Sequence, residues 1–167
     1  MTARVPEESN KGPETRTGSA AFPHSARLLR HADFERVYKQ GRRHFSASMT
    51  VFYLQRQPEV ASGRNNASGL RIGFTVGRVL GGAVQRNRMK RRLREAVRLS
   101  KPWPAADVDV VINPKKVLLK LEFDTLLNEV RQAFVVIGKK LVRASGAESA
   151  DKIDVSGSRK PEAGSRG

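Results

Sequence analysis

The apolar positions along the chain change period several times, and each change marks an element. In ADFERVYKQG, Phe34, Val37 and Tyr38 stand at i, i+3 and i+4, with Asp33 in the first turn and Gly41 placed as a stop; this predicts a short first helix. SMTVFYLQ is β-branched and aromatic with apolar residues on both faces, and predicts a strand. After the Gly- and Asn-rich SGRNNASG comes LRIGFTV, where Leu70, Ile72, Phe74 and Val76 alternate with Arg71, Gly73 and Thr75, the period of a half-buried strand. These two strands are expected to pair as a hairpin with a long loop. KPWPAA breaks the chain ahead of DVDVVIN, another strand, and Phe123, Leu126, Leu127, Val130, Phe134 and Ile137 then keep helical spacing over about four turns.

Between the last two strands, QRNRMKRRLREAVR reads as a helix in which Met89, Leu93, Ala96 and Val97 fall within one arc of roughly 100°, enough to dock on a sheet. A further short strand is expected near Arg42 to Ser48, giving the order αβββαβα. The predicted fold is α+β, a two-layer α/β sandwich with a mixed sheet of about four strands. Its cationic helix sits inside a strand–helix–strand crossover, so the flanking strands should be parallel neighbours. Residues 1–24 and 144–167 are polar, rich in Ser, Gly, Glu and Pro, and lack a hydrophobic period. They are expected to be disordered tails around one domain at 25–143, because they cannot bury enough surface to offset chain entropy.

Charge adds a partner to this picture. The 167 residues carry 32 Lys and Arg against 16 Asp and Glu, a formal charge of +16, which points to a polyanion. Absence of cysteine excludes disulfides, thiolate nucleophiles and Cys-based zinc sites. The N-terminus lacks the apolar core of a signal peptide and no run of 18 apolar residues occurs, so the expectation is a soluble cytoplasmic protein.

From Arg78 to Lys101 there are nine Lys or Arg and one acid, Glu95, so this stretch holds half of the net charge. Asn87, Arg91, Arg94 and Arg98 project opposite the apolar arc, with Arg88 and Arg92 on one flank and Arg86 and Lys90 on the other. A helix face that is merely solvated normally interleaves both signs, since like charges at i,i+4 repel. A membrane-surface helix would carry Trp or Phe on its apolar side, and this one has neither. The excess of Arg over Lys favours bidentate phosphate contacts. A helix packed on a sheet inside a crossover is none of the usual major-groove motifs, so RNA is expected and DNA is not. GRVLGG matches neither GxGxxG nor GxxxxGK, so its glycines are assigned to a turn and a helix start.

GFTVGRVLGGAVQRNRMKRRLREAV resembles the signature segment of the bacterial ribonuclease P protein component, whose mark is an Arg-Asn-Arg triplet opening a basic helix, here Arg86, Asn87 and Arg88. RLLRHADFERVYKQG resembles the family's first helix and TVFYL its next strand, so the likeness extends over about residues 27 to 140. The resemblance implies an RNA-binding subunit of a ribozyme that removes the 5′ leader of precursor tRNA. The RNA subunit would be the catalyst, magnesium would be bound mainly by that RNA, and the chain alone would be non-catalytic, with no metal site of its own. Partners would be the catalytic RNA and precursor tRNA, without membrane. It further implies a left-handed crossover around the basic helix, against the usual rule. Contacts to the catalytic RNA would come from Arg86, Asn87, Arg88, Lys90, Arg91, Arg94 and Arg98. The leader would lie in a cleft between the first helix and the sheet, with Phe34, Tyr38, Tyr53 and Thr75, flanked by Arg27, Arg30 and Arg78. Two departures stand out: Val79 replaces a second cation after Arg78, and Gly82 replaces the usual Asn before Ala83, forfeiting a capping side chain.

Without that likeness, Phe34 and Tyr38 would read as core residues of a short helix; with it they are expected to be partly exposed, where a base can stack on the ring whatever its identity. A structural RNA-binding protein of the ribosome, or an RNA chaperone, is the alternative. His24, His31 and His44 have no carboxylate at a suggestive spacing, so a protein-only nuclease is not supported. Asp107 and Asp109 share a strand face and are expected to be solvated; Trp103, between two prolines, is expected to anchor a loop.

Overall fold

The computed structural model describes residues 22–57 and 68–151. Helix α1 spans His31–Gln40, followed by β1 (Arg42–Phe45), β2 (Met49–Gln55), β3 (Leu70–Phe74), helix α2 (Ala83–Leu99), β4 (Val108–Pro114) and helix α3 (Phe123–Asp151). The predicted α+β class with a four-stranded mixed sheet is what forms, and the short strand after Gly41 is β1. Gly41 ends α1 by donating its N–H to the Val37 carbonyl at 2.9 Å.

Strand order is β1-β2-β4-β3. β3 runs parallel to β4, as expected for strands flanking a crossover helix, and β2 runs antiparallel to β4. The hairpin expected between β2 and β3 does not form. β4 lies between them, and the hairpin partner of β2 is β1. Val108, Val110, Val111 and Ile112 are buried, so β4 has apolar residues for both faces of the sheet and belongs at its centre. Most of the long loop expected between β2 and β3 lies outside the described residues.

Alternation assigns the two faces. Met49, Val51, Tyr53, Leu70, Ile72, Val108, Val110 and Ile112 point to the larger core, which also holds Met89, Leu93, Ala96 and Val97 of α2 and Leu126, Val130, Ala133, Phe134 and Ile137 of α3. The four predicted docking residues of α2 are fully buried. Phe52 and Val111 point the other way and form a smaller core with Leu28 and Val37 of α1. Helices therefore cover both sides of the sheet, α1 on one and α2 with α3 on the other.

At both ends the described structure reaches past the expected domain of 25–143. Phe22, placed in the N-terminal tail, is buried edge-on against Trp103 at 5.8 Å and Phe74 at 6.4 Å, an aromatic contact that a tail would lack. At the other end α3 continues beyond Ala144 to Asp151, because Leu141 is still buried and carries the helix on. Residues 1–21 and 152–167, the remainder of the expected tails, lie outside the described residues.

Candidate nucleic-acid interface

α2 is set up by its own ends. Gly81 adopts φ 137°, a conformation that side chains avoid, and a Cβ there would collide with Gln85. That turn lets the Gln85 Oε1 accept from the Gly82 N–H at 3.2 Å, half of a capping box, although Gly82 itself has no side chain to offer. At the far end Ser100 Oγ donates to the Val97 carbonyl at 2.8 Å, and Trp103 Nε1 donates to the same oxygen at 2.9 Å, the predicted anchor.

With its apolar stripe fixed, α2 presents Asn87, Arg88, Arg91 and Arg94 as exposed residues, while Arg86 and Lys90 are half-buried on its flank. Among the described residues none of Arg86, Arg88, Lys90, Arg91 and Arg94 has a carboxylate within ion-pair distance. The buried Arg86 Nε has no partner among the described residues. Arg98 differs: its guanidinium is paired with Glu95, whose carboxyl the hydrogen bond from Arg98 holds below the usual range. Arg92, on the flank of the same helix, is structural. It donates to the Leu118 carbonyl at 2.6 Å, to Leu119 at 3.2 Å and to Leu121, capping the 3-10 turn that leads into α3.

The opposite face of the sheet carries the second set. Phe34 lies on β3 because residue 73 is glycine; a Cβ there would stand 2.4 Å from the Phe34 ring. One turn on, Tyr38 Oη lies 2.9 Å from Thr75 Oγ1 and donates to Asn113 Oδ1 at 2.8 Å, and its ring meets Phe52 edge-on at 4.9 Å. Arg43 of β1 places its guanidinium 5.2 Å from the centre of the Phe52 ring. Phe34 and Tyr38 are half-buried and Thr75 is exposed, so one patch joins them.

Tyr53 is not part of it. Its ring is 2% exposed and sits on the other face of the sheet, because neighbouring strand residues point in opposite directions. Burial raises the Tyr53 hydroxyl above its ordinary pKa, against the opposing charge of Arg42. The aromatic that faces α1 is Phe52, which sequence reasoning missed along with Arg43 and Asn113. Arg27 donates to the Phe22 carbonyl at 3.0 Å, a chain-entry role rather than a place in the patch. Arg30 is the exposed residue before α1 and Arg78 the exposed start of the 3-10 turn after Thr75.

Asp109 also corrects an expectation. It is fully buried, since its side chain points under α1, where Arg71 donates at 2.7 and 2.6 Å, Arg56 at 2.8 Å and Arg36 at 3.1 Å. Arg36 and Arg71 also reach Asp33 of α1, at 2.8 and 3.5 Å. Hydrogen bonding to Asp109 raises Arg71 above its ordinary pKa. Asp107 remains exposed, and the Gly69 N–H holds its carboxyl below the usual range. With the oxygens of Asp109 taken by guanidiniums, the pair does not fit a metal, and among the described residues no group of three or more His, Asp or Glu is arranged to hold one. Among the described residues no helix is long and apolar enough to cross a membrane.

A family model described as Ribonuclease P matches residues 22–144. The ribonuclease P protein component of Dictyoglomus thermophilum is 30% identical over 125 residues, covering 74% of this chain and 93% of that protein. That of Symbiobacterium thermophilum is 37% identical over 108 residues, covering 65% and 87%. Among solved structures, the RNase P protein from Thermotoga maritima aligns with a TM-score of 0.54 at 25% identity, covering 65% of this chain and 94% of that one. The Staphylococcus aureus RNase P protein shares the fold, with a TM-score of 0.54 at 24% identity over 68% and 95% of the two chains.

Proposed function

This chain belongs to the ribonuclease P protein family, and from that premise we propose that it binds a catalytic RNA through α2 and the 5′ leader of precursor tRNA through the α1 patch. In this reading it promotes endonucleolytic removal of the leader in the cytoplasm, while the RNA subunit supplies the chemistry and holds the magnesium. The observation that carries the reading is the row of Arg86, Arg88, Lys90, Arg91 and Arg94. These cations lack carboxylate partners among the described residues, yet they stand on a helix whose docking stripe is fully buried. A row of cations without carboxylate partners, four of them guanidiniums, suits the phosphates of a folded RNA and would release counterions on binding.

The α1 patch suits a different RNA segment. Its rings are half-buried, and the hydroxyl of Tyr38 is already engaged by Thr75 and Asn113, so what it offers outward is apolar ring surface beside the Arg43 cation. Stacking on such surface is tolerant of base identity. The two surfaces lie on opposite faces of the sheet, which allows one RNA to be held while another is read.

The deciding experiment adds the protein to its cognate RNA subunit and precursor tRNA at low magnesium. Faster cleavage or tighter precursor binding is expected. No gain in either, with co-sedimentation on ribosomes instead, would favour a structural RNA-binding role, and cleavage by RNA-free protein would overturn the assignment of catalysis to the RNA.

A further inference from the structure

Beyond both surfaces, α3 and the segment Ser100 to Pro104 border an open groove of about 660 Å³, within the size range of roughly 300–1,000 Å³ typical of ligand sites. Its floor is apolar, formed by Trp103, Phe134, Val135 and Val142 with Gly138 among them. Val135 and Val142 are 55% and 71% exposed, so apolar side chains face the groove. Gly138 sharpens the point. Glycine inside a helix loses backbone entropy and ranks below alanine. A Cβ at this position would meet nothing within 4 Å among the described residues, so their packing does not require the glycine. Its effect is a notch in the floor where a flat group can lie close to the helix backbone.

The rim decides what kind of group. Lys101, Arg131, Lys139 and Arg143 border the groove, and among the described residues no acidic one does. Trp103 is held by its bond to the Val97 carbonyl and by the edge of Phe22, and Lys101 Nζ stands 4.9 Å from its ring centre. An aromatic and aliphatic floor inside a cationic rim is the combination that binds single-stranded nucleic acid, bases on the rings and phosphates on the cations. The groove also continues the outward face of α2. Arg91, Arg94 and Arg98 share that face, Lys101 follows just past the helix end, and Arg131 donates to the Leu99 carbonyl at 3.3 Å.

We propose that this groove is a further RNA site for an unpaired nucleotide, with the base against Trp103 and the strip of Val135, Gly138 and Val142, and the phosphates on Lys101, Arg131, Lys139 and Arg143. It rests on the reading of α2 as the RNA-facing helix and extends that surface past the end of α2.

Trp103 is the single tryptophan of the chain, so its fluorescence reports on the groove directly. Single-stranded oligouridylate titrated into the full chain should quench it. Gly138→Leu fills the notch without disturbing the packing beneath it and favours the helix; its thermal midpoint should be unchanged or higher, and its affinity for oligouridylate lower on the order of tenfold. Lys139→Ala combined with Arg143→Ala should weaken binding and flatten its salt dependence. Absence of quenching, unchanged affinity of Gly138→Leu, or equal binding of duplex RNA would overturn the proposal. So would a Trp103 signal that follows protein concentration without RNA, which would mark a contact between copies of the chain. Precursor cleavage with the RNA subunit, measured in parallel, separates the two readings. Stimulated cleavage with a Gly138-insensitive quench refutes the groove alone, while Gly138-sensitive quenching without stimulation refutes the ribonuclease P role and leaves the groove site standing.

Discussion

Asp109 shows how much one side chain can organise. A buried carboxylate is costly unless its oxygens are satisfied, and here three guanidiniums, from α1, from Arg56 just past β2 and from β3, converge on it. Asp33 and Asp107 pair with the same arginines, so removing Asp109 leaves three guanidiniums against two carboxylates under α1. Asp109→Asn is expected to lower stability by about 3–5 kcal/mol, read from urea unfolding. A loss under about 1 kcal/mol would mean that the arginines find water instead. Phe34→Ala should weaken binding of leader-bearing precursor while sparing mature tRNA and the catalytic RNA; equal losses for precursor and mature tRNA would count against the patch. Phe52→Ala removes the ring under Tyr38 and should act in the same direction, whereas Tyr53→Phe should leave leader binding unchanged. Phe34, Tyr38 and Thr75 entered through the family resemblance, since helical period alone would have put both rings in the core; the structure leaves the two rings half-buried and Thr75 exposed. SMTVFYLQ is apolar at both parities, so nothing in it distinguishes the face of Phe52 from that of Tyr53. Asp109 was equally hidden: its partners come from positions 36, 56 and 71, distant in sequence and joined only by the sheet.

At the scale of elements, α2 was the most legible. Four apolar residues in one arc predicted its buried side, and Glu95, the one acid of the stretch, fills the role of internal ion-pair partner with Arg98. What the pattern could not give was Arg92, a cation spent on carbonyls rather than on solvent or RNA. The order of strands was also out of reach, because hydrophobic spacing specifies a strand but not its neighbour. α3 owes its seat partly to Glu129, which accepts from Ser46 Oγ, from Ser48 Oγ at 2.6 Å and from the Ser48 N–H at 3.1 Å in the turn between β1 and β2. Burial raises the Glu129 carboxyl, but these hydrogen bonds outweigh it and hold the group below its ordinary value of 4.5. A carboxyl with a lowered folded-state pKa contributes stability that is complete above its unfolded value and is lost as pH falls through the folded one. Glu129→Gln should therefore cost roughly 1–3 kcal/mol at neutral pH. Its melting temperature should approach that of the unmodified chain as pH falls below 4.5. A gap independent of pH would show that the charge is not what matters.

For the whole molecule, the charge of +16 is distributed with a purpose that composition alone could not reveal. Three arginines are held around Asp109, one is consumed by carbonyls and one by Glu95, and the row on α2 keeps no carboxylate partner among the described residues. Replacing Arg91 and Arg94 by Gln should leave folding intact and weaken assembly with the catalytic RNA. The slope of log affinity against log salt should become shallower by roughly 0.7–0.9 for each phosphate that is no longer neutralised. An unchanged slope would show that those side chains do not meet phosphate.

The position of β4 carries a consequence for how the chain acquires its shape. Of the four strands it is the last in sequence, yet it is hydrogen-bonded on both sides, and β3 has no other strand as a neighbour. Among the described residues, the strand pairings available before β4 are the β1–β2 hairpin and the single Arg27–Ile72 bridge beside β3, so the apolar sides of β3 and α2 lack the central strand they close on. The structure thus assembles around a contact between distant parts of the chain, which slows folding relative to a helical protein of equal size. Substitutions in β4 that weaken its pairing should then slow refolding rather than merely speed unfolding.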